Sequence, residues 1–245
     1  MNAITNHKTN TFKWLLKREF WENRGGFLWA PLITGGIISV LTAVLAVIGV
    51  IRFRQSGFGN DLHLNSDLAE HARQIGGIGD TALLVGISLT TLVLAFVVFF
   101  YSLGSLYDDR RDRSVLFWKS LPVSDTQMVL SKAAWALLLA PLVAVGVGIV
   151  IGLVLWIISA LTLSVNGVSA GTAVFTHSHP LRIIGGVLAS LPVYILWALP
   201  TVGWLMLCSA WARSKPFLWA VLLPVAVGIA IGWFHLLGSL GSSDW

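Results

Sequence analysis

Few residues in this 245-residue chain have types and spacing suited to chemistry, and they fall in two places. His177-Ser-His179 has the spacing of a metal-binding pair, with His63, His71 and the acids Asp61, Asp67 and Glu70 as further candidate ligands. A metal centre needs several such donors to converge; the alternative is a set of solvated loop histidines. No HExxH, GxSxG or Walker phosphate loop occurs. Gly76-Gly-Ile-Gly79 lacks the Gly-Lys-Ser/Thr ending, so this chain is not expected to bind ATP.

The second place is the stretch 108–132. It opens with six consecutive charges of mixed sign, Asp108 to Arg113, which can pair locally and stay hydrated. Val115, Leu116, Phe117 and Trp118 follow as an apolar cluster. Leaving such a cluster in water is unfavourable by several kcal/mol at about 25 cal/mol per Å². It must therefore be covered by lipid, by the chain itself or by a partner. Pro122 ends any preceding helix. Ser124 is a good N-cap for the next one, and Gln127 completes a capping-box pattern. The stretch thus reads as a short helix, a break at Leu121-Pro122, and a capped helix. A helix charged at one end and apolar at the other suits a groove on a soluble subunit or a bed of lipid.

The elements that must position these residues follow from composition. Hydrophobic residues make up 56% and charged residues 11%, against about 25% charged in an ordinary soluble domain. Mean hydropathy is +0.81, and Trp occurs 12 times. So few charges cannot cover a soluble globule of this size. A soluble enzyme, a disordered chain and a disulfide scaffold are excluded, the last because Cys208 is the single cysteine. The net charge of +5 reads here as basic cytoplasmic loops rather than nucleic-acid binding.

The expected fold class is all-α, a polytopic transmembrane helical bundle. A bilayer core needs about 20 apolar residues per helix, and five stretches qualify: 27–51, 81–107, 133–161, 183–211 and 216–237. A β-barrel is excluded because VLAFVVFFYSLGSLY and VGVGIVIGLVLWII do not alternate in polarity. The stretch from Asn166 to Pro180 reads as a loop, and one amphipathic turn is expected around Leu68 to Ile75. Lys and Arg number 12 on the side of the N-terminus and 4 on the other, which puts residues 1–26 in the cytoplasm. The first 24 residues lack the apolar core of a signal peptide. The chain stops soon after the fifth stretch, which is read as a missing sixth span, with a five-span protein as the alternative.

Before the first span, Phe12, Leu16 and Phe20 recur at helical spacing among Lys13, Lys17 and Arg18, with Trp14 and Trp21 seven apart. This suits an interfacial helix, with Gly25-Gly26 supplying a bend into the span. Pro141, Pro192, Pro200 and Pro224 fall inside spans as candidate kinks. Trp29, Trp156, Trp211, Trp219 and Trp233 read as interface anchors. Gly148-x-x-x-Gly152 and Gly228-x-x-x-Gly232 allow close helix approach, read as packing within the chain in preference to a dimer seam. No ionisable residue lies deep inside a span as bounded above, which disfavours a proton relay or ion path.

Leu121-Pro-Val-Ser-Asp-Thr-Gln-Met-Val-Leu-Ser-Lys132, preceded by charges and a short apolar helix, resembles the permease subunits of type-2 ATP-binding-cassette (ABC) exporters. Leu15-Leu-Lys-Arg-Glu-Phe-Trp-Glu22 is similar to their elbow helix. The order of elements matches throughout, and the motifs cover about 40 residues; the sixth span departs from the family pattern. The resemblance implies a coupling helix at about Arg113 to Ser120 docked on a partner ATPase. Val115, Leu116, Phe117 and Trp118 would be the apolar docking residues. Asp109, Arg110, Arg111, Arg113 and Lys119 would form a polar rim, with Leu121 and Pro122 ending the helix. It further implies a single permease domain without catalytic residues or cofactors of its own, ATP and Mg held by the partner, and pairing with a second permease copy in the inner (cytoplasmic) membrane. Export of a hydrophobic or amphipathic substrate would follow. The alternative is a stand-alone membrane enzyme or assembly factor with a site in the outer loops.

Overall fold

The computed structural model describes residues 11–55, 68–113, 123–166 and 174–241. These are helical almost throughout, with no strand among them. Helix α1 spans Thr11–Arg24 and α2 Ala30–Gln55; α3 spans Leu68–Arg111 and α4 Asp125–Ala134. They are followed by α5 at Ala140–Asn166, α6 at Pro180–Trp211 and α7 at Leu223–Gly241. Five helices are long and apolar enough to cross a membrane: Thr11–Arg52, Gly76–Arg111, Asp125–Val165, Pro180–Trp211 and Leu218–Gly238.

Each begins or ends outside the apolar stretch that marks it in the sequence. The first is the clearest case. Its 42 residues reach about 60 Å at about 1.5 Å per residue, twice a hydrocarbon core of about 30 Å. The expected bend at Gly25-Gly26 is instead a π-helical turn, Gly25–Trp29, with helical dihedrals at both flanks and the Ala30 N–H bonded to the Gly25 carbonyl. In an apolar setting, interrupting the backbone ladder leaves polar groups with no water to meet them, so the helix widens rather than breaks.

The same solution recurs with fixed register. π-Helical turns occupy Gly25–Trp29, Trp135–Leu139 and Leu218–Leu222. Pro31, Pro141 and Pro224 each stand two residues beyond the turn. A proline offers no N–H and its ring collides with the carbonyl four residues back. That carbonyl belongs to Phe27, Leu137 or Ala220, the middle residue of each turn. The orphan carbonyl of Ala220 accepts the indole N–H of Trp204 at 3.1 Å. Pro192 and Pro200 lie within α6 without a π-helical turn.

Local signals act as expected elsewhere. Ser124 has extended dihedrals, and its side chain accepts the Gln127 N–H at 3.3 Å, the N-cap of α4. Pro180 opens α6, where its missing N–H has no intrahelical partner to lose. Within the stretch read as a loop before α6, residues 174–177 form a helical turn, with Val174 fully buried. Helix α3 begins at Leu68, extending the single turn expected there.

The chain divides into two compact units. One comprises Met1–Glu19, Val98–Leu137 and Leu196–Trp245; the other comprises Phe20–Val97 and Leu138–Ile195. In the second, a Cβ on Gly86 would lie 2.5 Å from the Gly152 Cα, and one on Gly152 would lie 2.7 Å from the Leu83 carbonyl oxygen. Helices α3 and α5 thus touch backbone to backbone, as small residues permit. Gly148-x-x-x-Gly152 is used as expected. Gly228-x-x-x-Gly232 is not: a Cβ on either glycine would meet nothing within 4 Å. The expectation that this pair packs within the chain is corrected accordingly, because α7 presents these glycines on a face that no described element covers.

Candidate functional site: the neck of the α3–α4 loop

The first unit contains a buried ionic cluster. Glu19 is 2% and Lys132 4% exposed. The Lys132 ammonium lies 2.9 Å from Glu19 Oε1 and 3.2 Å from Asp109 Oδ2. The Tyr101 hydroxyl donates to Glu19 Oε2 at 2.8 Å. Arg18 approaches the other Asp109 oxygen at 4.0 Å. Two carboxylates thus face two cations.

Each member is positioned by its helix. In α1, Leu15 and Glu19 are one helical turn apart and form the buried face. Phe12, Leu16 and Phe20, the residues of the expected interfacial pattern, are half-buried. Trp14 and Trp21 stay exposed, with Lys17 5.2 Å and Arg24 5.4 Å above their rings. The Trp135 indole donates to the Leu16 carbonyl at 2.6 Å, which ties α1 to the end of α4 a second time. Asp109 lies in the last turn of α3 and Lys132 in the last turn of α4.

Asp109 and Lys132 flank the stretch singled out by sequence. Their ion pair closes the neck of the α3–α4 loop. Arg110, next along α3, donates to the Ser209 carbonyl at 2.6 Å and the Ala212 carbonyl at 3.0 Å. It thereby caps the C-terminus of α6, where carbonyls lack intrahelical donors. The Ser209 hydroxyl in turn accepts the N–H groups of Leu106 and Tyr107 at 3.1 and 2.9 Å. Beneath these bonds, Leu103, Leu205, Cys208 and Ala220 pack as an apolar cluster.

The remaining residues expected at a docking surface divide as follows. Arg111 and Arg113 are exposed. Arg113 has φ 57° and its N–H bonds to the Arg110 carbonyl. A left-handed residue closes a helix, so Arg113 terminates α3. Val115, Leu116, Phe117, Trp118, Lys119, Leu121 and Pro122 lie outside the described residues.

Sequence reasoning missed Glu19 and Lys132. Glu19 reads from sequence as part of the elbow-like stretch Leu15 to Glu22 and Lys132 as the flank of the third span, yet the helices extend past those bounds and bury both. Glu19 shares a face with Leu15, and Lys132 follows a capped helix start. Those signals place the two on helices but do not by themselves pair them.

The backbone N–H of His179 donates to Asp80 Oδ1 at 2.8 Å, so Asp80 holds the start of α6. Trp156, read as an interface anchor, donates to the Ser178 hydroxyl at 3.0 Å and packs edge-on against Phe175. His177 Nδ1 lies 2.8 Å from the Thr176 hydroxyl. Among the described residues, no three His, Cys, Asp or Glu converge as metal ligands.

The second unit also carries a cleft of about 450 Å³ lined by Ser88, Thr91, Pro141, Val145, Ser190 and Tyr194, among others, none of them charged. Thr91 and Ser190 spend their hydroxyls on carbonyls of their own helices. The cleft is therefore apolar, with small hydroxyl edges.

No family model, no curated protein and no solved structure matches this chain.

Proposed function

We propose that the chain is the membrane-spanning subunit of an ABC exporter of the type-2 kind, lying in the cytoplasmic membrane with its N-terminus in the cytoplasm. The loop between α3 and α4 docks on a separate ATPase subunit through Val115, Leu116, Phe117 and Trp118. ATP and Mg act on that partner. ATP-driven closure of the partner moves the docked loop, and the spans alternate between inward-open and outward-open arrangements. The cargo is hydrophobic or amphipathic, in keeping with an uncharged cleft of about 450 Å³, within the size range of small-molecule sites. A second permease copy completes the transporter, and the uncovered Gly228 and Gly232 offer a face for close helix approach.

The observation that carries this reading is the loop itself: an apolar cluster in a charged stretch, whose neck is clamped by Lys132 between Glu19 and Asp109.

Isolation in mild detergent tests it. The wild-type chain is expected to retain an ATPase. Phe117→Asp or Trp118→Asp is expected to abolish coupled ATPase activity while the chain still inserts. Unchanged coupling in both variants overturns the docking assignment.

A further inference from the structure

We infer that Lys132 is a positioning residue that makes α1, the end of α3 and the start of the third span move as one body when the loop is displaced. The inference rests on the permease reading and names the part that carries the motion.

Three observations support it. The first is connectivity. Asp109 lies in the last turn of α3, where the loop begins, and Lys132 in the last turn of α4, the helix that follows the loop; the Lys132 ammonium joins α3 and α4 to each other and to Glu19 of α1. A force on the loop therefore reaches three helical segments through a single ammonium group.

The second is burial. Glu19 and Lys132 are almost wholly enclosed. A buried ion pair contributes little stability over an apolar replacement, because desolvation offsets the attraction between its charges. Its geometric effect is larger: an ammonium held between two carboxylates in a poorly solvated place loses one of its two ion pairs on a small displacement. Such a cluster specifies one relative placement of its three helices.

The third is the location of the π-helical turns. Glu19 precedes the turn Gly25–Trp29 by six residues, and Lys132 precedes the turn Trp135–Leu139 by three. π-Helical turns and the prolines behind them are where long helices bend. Both α1 and α4 therefore leave the ionic cluster through a bendable joint. The cluster is the rigid member, and the turns take up the rotation.

The test uses the chain with the ATPase it retains. Spin labels are placed at Trp14→Cys on α1 and Leu130→Cys on α4, both exposed positions, in a Cys208→Ser background. The inter-label distance is measured without nucleotide and after trapping with ATP and vanadate. The wild-type background is expected to give one narrow distribution that trapping does not move. Lys132→Met is expected to retain the ATPase but to give a distance that shifts or splits on trapping, and Lys132→Arg to restore the single distribution. Should Lys132→Met fail to fold, the set Glu19→Gln, Asp109→Asn and Lys132→Met, which removes both acids together with the ammonium they share, replaces it with the same expectation. A wild-type distance that itself moves on trapping overturns the inference. So does a lysine-free variant that behaves as wild type, or one that loses the ATPase altogether. If the wild-type chain retains no ATPase, the permease reading fails and the inference falls with it.

Discussion

Each of the two units of this chain has its own internal chemistry, and the two differ. In the unit containing α4, helices meet through ions and hydrogen bonds: Lys132 with Glu19 and Asp109, Tyr101 with Glu19, and Arg110 with the end of α6. In the other, α3 and α5 meet where side chains are missing, at Gly86 and Gly152. Backbone contact of that kind works through dispersion and shape, needs no solvent and tolerates no added atom. Ionic contact tolerates substitution by anything that leaves no charge stranded. The contrast suits different tasks. A backbone seam fixes two helices at one separation. An ionic cluster holds helices together while their outward-facing side chains stay free to meet a partner.

The largest effect is expected at the seam. Gly152→Leu puts a side chain where the Leu83 carbonyl already stands, and backbone cannot rotate away as a side chain does. Overpacking typically costs about 1–3 kcal/mol; here the helices must separate, so the expected outcome is loss of monodisperse protein in detergent. Recovery of Gly152→Leu with wild-type thermal stability would show that α3 and α5 do not pack at this distance.

The ionic cluster is expected to respond differently. Lys132→Met alone removes the cation that Glu19 and Asp109 share and should cost about 3–5 kcal/mol. Adding Glu19→Gln and Asp109→Asn should return much of that loss, since the excess negative charge is gone. The measurement is equilibrium unfolding of the single and combined variants. Strictly additive losses would mean that the three side chains do not share one site.

What could be read from sequence follows the same division. The five spans are legible because partition into lipid depends on each stretch alone and requires no neighbour. The Ser124 cap is legible because donor and acceptor lie three residues apart. Glu19 and Lys132 are not, since the cluster draws on α1, α3 and α4, with Lys132 113 residues from Glu19 and 23 from Asp109. The π-helical turns could have been placed from Pro31, Pro141 and Pro224, but prolines alone do not tell a widened turn from a tolerated one, as Pro192 and Pro200 show. For the loop residues from Val115 to Pro122, sequence remains the sole source of the docking assignment.

The smallest effect is expected at the second glycine pair, and it sharpens the comparison most. Gly148-x-x-x-Gly152 and Gly228-x-x-x-Gly232 are identical as patterns. A Cβ at Gly148 would lie 3.2 Å from the Ile87 Cα, whereas one at Gly228 or Gly232 would meet nothing. Gly228→Leu should therefore leave the unfolding of a single chain within about 0.5 kcal/mol of wild type, the range of substitutions that touch no neighbour. Any departure should favour the variant, because leucine suits a helix interior better than glycine by several tenths of a kcal/mol. Chemical crosslinking in membranes reads the other possibility. A drop in the dimer fraction with unfolding unchanged identifies the face as a seam between copies. A loss of stability as large as that of Gly152→Leu would mean that another part of the same chain covers α7.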